Sequence, residues 1–420
     1  MPRDPDSQRY DVVIIGAGAG GLSVCSSLLK RRERLKVCLV DPATSHYYQP
    51  GWTLVGAGVF EPAFTERAMA SLIPARVTWE KASATTFEPE HNRVALDNGR
   101  LLAYDVLIVA PGIKLDWDAI PGLTETLGRN GVTSNYRFDL APYTWSLVQA
   151  LRRGRALFTQ PPMPIKCAGA PQKALYLSAD HWRRTGGLGD IGIEFHTAAP
   201  ALFGVQAYVP ALMTYMERYG AHLNFGSTLA AVNGAARVAT FRQTDATGRT
   251  VEHTRGFDML HVCPPQTAPD FIRRSPLANE DGWVDVDRAT LCHVRHANVF
   301  CVGDASATPN AKTAAAARKQ APVVAENALA QLDGKPLTAV YDGYGSCPLT
   351  VERGKIVLAE FGYGGTLLPT FPRWLLDGER PSRLAWHLKA EALPRLYWDG
   401  MLKGREWLCA PARRTPHVAG

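Results

Sequence analysis

The residues best placed to do chemistry in this 420-residue chain are a glycine run, two strand-ending aspartates and a cysteine set between lysines. Gly16-Ala17-Gly18-Ala19-Gly20-Gly21 follows the apolar stretch DVVII. In a strand-turn-helix setting Gly16 permits the tight turn, and Gly18 lets the backbone approach a pyrophosphate. Gly21 lets helix and strand pack closely. Phosphates then lie at the positive end of the helix. Asp41 closes the next apolar run, LKVCLVD, 20 residues after Gly21. That is the spacing at which a carboxylate accepts hydrogen bonds from an adenosine ribose. Ala110-Pro111-Gly112 ends the run YDVLIVAPG, and Gly303-Asp304 ends ANVFCVGD, almost 300 residues beyond the first glycines. A single NAD-binding unit has no need of an acid so far along. FAD has, because its ribityl chain and flavin extend past the first unit.

Cys167 follows Lys166 and precedes Lys173, just ahead of the helical pattern ALYLSADHWRR. Nearby cations and a helix N-terminus both favour thiolate over thiol. The competing reading is a structural thiol. Cys347 lies in the turn-rich stretch YDGYGSCPLTVERGK. Cys25, Cys38, Cys263, Cys292, Cys301 and Cys409 sit on patterned or short apolar runs, where cysteine behaves as a small buried hydrophobe. No two of the eight cysteines are three apart, so the zinc and thioredoxin CxxC signatures are excluded, and no metal site is expected. His196 and Glu194, in IGIEFHTAA, read as a satisfied strand-end pair.

These residues sit on strands that alternate with helices. DVVIIGAG, LKVCLVD and YDVLIVAPG are strands, with LSVCSSLLKRR a helix between the first two. RALFTQ, IGIEFHTAA and FDMLHVCPP form a second series, with helices ALYLSADHWRR and VPALMTYMERYG. ANVFCVGD and the long helix TAAAARKQAPVVAENALAQL return to the first. Such alternation means parallel sheets covered on both faces. The expected class is α/β, two tandem Rossmann-like domains followed by a C-terminal amphipathic-helix segment at a membrane interface. The expected limits are 9–115 with 276–335 for an FAD-binding domain, 116–275 for a second Rossmann-like domain, and 336–420 for the rest. After RALFTQ the second unit reads Gln160-Pro161-Pro162-Met163-Pro164-Ile165-Lys166-Cys167-Ala168-Gly169-Ala170-Pro171. It lacks the glycines of a second fingerprint, so NAD(P)H is not the expected reductant.

Composition is that of a folded globular chain, with 46% apolar and 20% charged residues. There are 46 basic against 39 acidic side chains, a net charge of +7. Leu368 to Gly420 holds nine Lys or Arg, five Asp or Glu, and four of the ten tryptophans: Trp374, Trp386, Trp398 and Trp407. Two short amphipathic helices are expected there, broken at Pro394. Leu384 and Leu388 share one face; Leu393, Leu396, Tyr397 and Met401 share another. Trp, Leu and basic residues in such helices suit the membrane interface. The alternative is a pair docked on the core or on a second copy. No basic run interleaves with aromatics as nucleic-acid binding requires.

KCAGAPQK and YDGYGSCPL, together with HYYQPGWTLVGAG and GDASATPNAKTAAA, resemble the sulfide:quinone oxidoreductases, within the two-dinucleotide-binding flavoproteins of the glutathione reductase superfamily. The likeness runs from about Tyr10 to about Leu408 and is strongest to the branch that includes the mitochondrial enzymes. GAGAGG departs from close relatives, which often carry bulkier or polar residues between the glycines. The resemblance implies that Cys167 and Cys347 are a redox pair beside FAD. It places FAD contacts at Gly16, Gly18, Ala19, Gly20, Gly21, Asp41, Gln49, Ala110, Gly112, Gly303, Asp304 and Lys312, and an adenine-side backbone contact at Ala84. It implies that hydrosulfide attacks a Cys167–Cys347 bridge, leaving a persulfide on Cys347 and a thiolate on Cys167. Two electrons then pass through FAD to a membrane quinone, and the sulfur to sulfide, sulfite, cyanide or a thiol. Three other readings are a type-2 NADH:quinone oxidoreductase, the flavin subunit of a cytochrome-coupled sulfide dehydrogenase and a non-catalytic FAD-binding redox sensor. The opening residues, MPRDPDSQR, lack the apolar core of a signal peptide and the acid-free, Arg-rich pattern of a transit peptide. A monotopic protein on the cytoplasmic face of the inner membrane is the resulting expectation.

Overall fold

A computed structural model describes residues 8–245 and 247–414. Most of the N-terminal reading (residues 1–7) and the end of the C-terminal segment (415–420) lie outside the described residues.

The VVII run forms β1 (Gln8–Ile15), buried at its carboxyl half, and the glycine turn leads into α1 (Ala19–Arg31). Lys30 and Arg31 close α1 where its dipole favours cations. β2 (Val37–Val40), β3 (Thr78–Glu80), β4 (Ala84–Glu88), β5 (Arg93–Leu96) and β6 (Leu101–Val109) follow. They assemble in the order β3-β2-β1-β6-β5-β4, with β1 parallel to both β2 and β6.

A second, five-stranded parallel sheet is made from β7 (Val132–Thr133), β8 (Gly154–Gln160), β9 (Ile191–Thr197), β10 (His222–Phe225) and β11 (Met259–His261), in the order β7-β11-β8-β9-β10. After β8 the loop 161–169 leads into α2 (Ala170–Arg184). An antiparallel three-stranded sheet spans Ser227–Asn233, Val238–Thr244 and Thr250–Gly256. His196 is fully buried. It is stacked on Phe241 and bonded to Ser227 Oγ at 2.9 Å and Glu194 at 3.2 Å, so both ring nitrogens are occupied.

The chain then returns to the first sheet. β12 (Val299–Cys301) pairs with β6 as the seventh strand, and α3 (Ala314–Leu332) starts at Thr313, whose hydroxyl caps the Ala316 N–H at 3.1 Å. The register aligns Ile15 and Cys301 with Val109. Three segments far apart in sequence, at Gly16, Ala110 and Gly303, therefore leave the sheet at one edge. A hairpin, β13 (Gly345–Glu352) with β14 (Lys355–Phe361), packs onto α2. Cys347 is thus a strand residue. The turn-rich composition belongs to Asp342–Tyr344 ahead of it.

The C-terminal segment differs from expectation. Arg383–Lys403 is one continuous helical stretch, with π turns at Leu388–Ala392 and Leu396–Gly400 between shorter α turns. Pro394 does not break it. The wider turns pair each N–H one residue further back and accommodate the missing donor. The second face is not outward either. Tyr397, Trp398, Met401 and Leu402 are buried in the cluster that also holds Val24 and Leu28 of α1. Leu384 (50% exposed), Trp374 (85%) and Trp407 (56%) remain open to solvent. Among the described residues no helix is long and apolar enough to cross a membrane.

Candidate functional site

The glycine turn comes first because β1 delivers it. A Cβ on Gly21 would lie 1.8 Å from the Gly16 carbonyl oxygen, so only glycine allows this helix to rise so close to its strand. Gly16 takes φ +98°, in the left-handed region. On the other side the cradle is open. A Cβ on Gly18, Gly112 or Gly303 would meet no protein atom within 4 Å. Gly18 caps α1 without a side chain, which leaves first-turn N–H groups free for an anion. Ala19 and Gly20 lie in that first turn, Gly20 against Val302.

Asp41 borders this turn and is partly engaged by the protein itself. Its carboxylate accepts from Ala17 N at 2.6 Å and from Ala43 N at 2.8 Å. Ala84 is buried at the start of β4, in the cluster that holds Val40 and Ile15. Gly303 N donates to Gln320 Oε1 at 2.8 Å, which orients the turn that presents Asp304. Burial raises the Asp304 carboxyl above its usual range. Lys312 is no solvated helix-start lysine. It is buried, and its ammonium donates to the Asp304 and Ser306 carbonyls at 2.8 and 2.9 Å while lying 4.3 Å from the Trp283 ring centre. It therefore shapes the turn around Asp304, and burial lowers its pKa. An open glycine-lined cradle, a carboxylate at the strand end and a half-buried acid beside a buried lysine fit an FAD. Gly16–Gly21 and Asp41 would hold its ADP half; Ala110–Gly112, Gly303, Asp304 and Lys312 would hold the rest.

The cysteine loop is stitched to the same turn. Cys167 N donates to Lys312 O at 2.8 Å, and Lys166 N donates to Gln266 Oε1 at 2.8 Å. Lys166 Nζ reaches Gln49 Oε1 at 2.7 Å and lies over the Trp52 ring. Cys167 itself sits at φ +51°, a left-handed conformation that costs a non-glycine residue roughly 1–2 kcal/mol. Bonds at its N–H and at its carbonyl, which accepts from Ala170 N and Tyr136 Oη, hold it there. Strain of this kind, held from several sides, is typical of functional positions.

The tertiary fold brings Cys167 and Cys347 into side-chain contact, 180 residues apart in sequence, as free thiols. Cys347 is completely buried on β13. The two sulfurs are driven in opposite directions. The hydrogen bond from Cys347 lowers the Cys167 pKa far below the ordinary thiol range, and Lys173, whose Nζ lies 3.1 Å from its sulfur, adds to the effect. That same bond, together with burial, raises Cys347 far above the range. Gly169 N–H, just before α2, also faces the Cys347 sulfur. The remaining cysteines are buried and inert by comparison. Burial pushes Cys25, Cys38, Cys263 and Cys301 up to about 12, Cys292 to about 11, and raises Cys409.

Lys389 is one of the nine cations counted in the C-terminal segment, which was expected at a membrane interface. Instead it is buried and faces the cysteine pair, its ammonium donating to Pro50 O at 3.2 Å. Burial, with the field of Lys173, lowers its pKa to about 7. Its spacing from Leu388 and Trp386 carries no sign of this, because a π turn rotates it inward. Lys166 and Lys173 were legible as flanking cations, whereas Tyr136 had no sequence signal. The Lys389 shift has a measurable consequence. Between about pH 7 and the ordinary lysine range the unfolded chain binds a proton that the folded chain does not, so stability rises with pH across that window. Lys389→Met is expected to raise the urea midpoint at pH 7 and to flatten the rise between pH 7 and 9.

Residues 10–148 match the family model for pyridine nucleotide-disulphide oxidoreductases. The chain is 42% identical to a mitochondrial sulfide:quinone oxidoreductase of Dictyostelium discoideum, over 94% of this chain and 86% of that one. It is 38% identical to the Mus musculus mitochondrial sulfide:quinone oxidoreductase, over 94% and 87%. The solved sulfide:quinone oxidoreductase of Aquifex aeolicus shares the fold, with a TM-score of 0.76 at 18% identity over 95% of this chain and 92% of that one.

Proposed function

The chain belongs to the sulfide:quinone oxidoreductases, and from that membership we propose how its own residues carry out the reaction. It is an FAD-dependent oxidoreductase that oxidises sulfide and reduces a quinone. The alternative of an NADH:quinone oxidoreductase is set aside by that membership. Cys167 and Cys347 are the redox pair. The observation that carries this assignment is the contact between the two thiols, and the Lys173 ammonium 3.1 Å from the Cys167 sulfur marks Cys167 as the one that leaves as a thiolate.

In the oxidised state the two sulfurs form a bridge. In thiol–disulfide exchange the sulfur with the lower pKa is the better leaving group. Hydrosulfide therefore attacks Cys347 Sγ, the bridge breaks, and Cys167 departs as a thiolate that Lys173 already accompanies. The incoming sulfur is left as a persulfide on Cys347. Two buried ammonium groups, Lys173 and Lys389, face this pair without an acidic partner among the charges that act on Lys389, so the pocket favours anions. The outer sulfur passes to a nucleophilic acceptor such as sulfide, sulfite, cyanide or a thiol, and re-forming the bridge releases one electron pair. FAD, held by Gly16–Gly21, Asp41, Gly303, Asp304 and Lys312, would supply the two-electron acceptor that links this pair to quinone. Residues 9–115 with 276–335 serve as the FAD-binding unit, 116–275 as the second unit that supplies Cys167, and 336–420 as the unit that supplies Cys347 and the lipid-facing surface.

Leu384, Trp374, Leu375 and Leu367 are exposed on and before the C-terminal helical stretch, with Arg373, Arg380 and Arg383 among them. Exposed Trp and Leu edged by arginine suit a peripheral seat in the headgroup region, from which a lipid-soluble quinone can be reached. The Dictyostelium discoideum and Mus musculus relatives are mitochondrial, and the seat proposed for this chain is the inner membrane. Anaerobic mixing tests the whole reading. Sulfide is expected to bleach the visible flavin band rapidly, a soluble quinone to restore it, and NADH to leave it unchanged. Bleaching by NADH with none by sulfide would overturn it.

A further inference from the structure

The C-terminal stretch has a second contact surface, opposite its exposed face, and this surface touches the FAD-binding turn. Tyr397 Oη lies 2.7 Å from His46 Nε2. His46 Nδ1 lies 3.0 Å from the carbonyl oxygen of Ala17, inside the glycine run. A carbonyl can only accept, so Nδ1 carries the proton, and Nε2 accepts from the Tyr397 hydroxyl. His46 is 3% exposed, and burial lowers its pKa to about 4, which keeps the ring neutral and this arrangement intact at neutral pH. The N–H of the same Ala17 residue donates to Asp41. The turn that must receive the pyrophosphate is thus held on one side by Asp41 and on the other by a relay from the C-terminal stretch.

A second set of contacts fixes that stretch against α1. Ser26 Oγ donates to Leu402 O at 2.7 Å. Glu406 accepts from Arg31 at 2.6 and 3.0 Å and lies 3.5 Å from Lys30. Gly404 takes φ +68° with its α-carbon pressed on the Ser26 backbone, where a Cβ would sit 2.8 Å from the Ser26 carbonyl oxygen. Both ends of the anion-binding unit, turn and helix, are held by residues 397–406.

We infer that residues 397–406 act as a cofactor clamp, with Tyr397 and His46 as positioning residues that keep the glycine turn preorganised for FAD. A preorganised site loses less freedom on binding, so relaxing the turn weakens retention of the cofactor without removing any group that touches it. Nothing in the sulfur chemistry uses Tyr397, His46 or Glu406, and their place in the fold is explained by the cofactor.

The test follows FAD release from the full-length holoenzyme, read as the rise of free-flavin fluorescence after dilution. Tyr397→Phe removes one hydroxyl from a buried ring and keeps its packing. It is expected to speed release about three- to tenfold, the range expected for one lost hydrogen bond. Glu406→Gln should act in the same direction, because it weakens the hold on α1 at a separate place. Lys403→Gln, in the same stretch but exposed and paired with Asp399, should leave release unchanged. Unfolding temperatures are recorded alongside. Unchanged FAD release in both Tyr397→Phe and Glu406→Gln, with or without a lowered unfolding temperature, would reduce these contacts to core packing and overturn the proposal.

Discussion

Cys347→Ser is expected to abolish sulfide-driven bleaching of the flavin while FAD stays bound. Cys347 lies on the β13–β14 hairpin and takes no part in the hydrogen bonds that hold Asp41 and the Gly303 turn, so the variant keeps those cradle contacts. Serine fits the buried position and can still donate a hydrogen bond to the Cys167 sulfur. It cannot form a bridge or carry a persulfide. The rate of flavin reduction by sulfide should fall about a thousandfold or more, on the scale seen when a covalent nucleophile is removed. Anaerobic stopped-flow at the visible flavin band checks this, with the bound-FAD spectrum as the control for folding. Cys167→Ser should be as inactive, because the leaving thiolate is then missing. Rapid bleaching in either variant would show that sulfur enters by another route.

Lys173→Met carries the second large effect. Lys173 is fully buried and its ammonium lies 3.1 Å from Cys167 Sγ. Against the burial that pulls its pKa down, the Cys167 and Cys347 sulfurs hold it charged. Removing it leaves a half-buried thiolate supported by Cys347 and the more weakly charged Lys389. A buried anion stripped of a charge-assisted donor is costly. Reduction by sulfide at pH 7 should slow about a hundredfold, comparable to the loss of one donor to a developing anion. The sign of the pH dependence identifies the cause. In the parent enzyme the hydrogen bond from Cys347 and the Lys173 ammonium hold the Cys167 pKa well below the ordinary thiol range, which favours the thiolate. In the variant that pKa moves up toward the ordinary thiol value, so thiolate is lost near pH 7 and regained toward pH 9. The variant should recover with rising pH, whereas a variant that merely folds poorly would not. A pH-independent defect would mean that Lys173 has a packing role.

Much of the site could be read because each motif carries its own local geometry. A glycine run between an apolar strand and a helix has few other uses, and the acid at the end of the second strand follows from βαβ spacing. Lys166 and Lys173 could be read because they neighbour Cys167 in the chain. Lys389 and Tyr136 could not be read in this way. Each reaches the cysteines from a different sheet or segment, and no spacing in sequence encodes that approach. The C-terminal stretch misled in one specific respect. Its amphipathic pattern is present, but it has two apolar faces, and hydropathy does not tell a face that meets a lipid from one that meets α1. The π turns at 388–392 and 396–400 rotate the register, so Lys389 turns inward and Tyr397 reaches His46.

The sequence by itself determined the class of fold, the cradle for a dinucleotide and the candidates for redox chemistry, because strand periodicity, glycine turns and cation-flanked cysteines are local signals. Only the tertiary structure decided that Cys167 and Cys347 meet, and that Lys173 stands at Cys167 while Cys347 is sealed from solvent. That arrangement joins a loop residue to a strand residue 180 positions away, with two lysine side chains buried beside them. Their field depends on distance and on exclusion of water, and both exist only once the chain has folded.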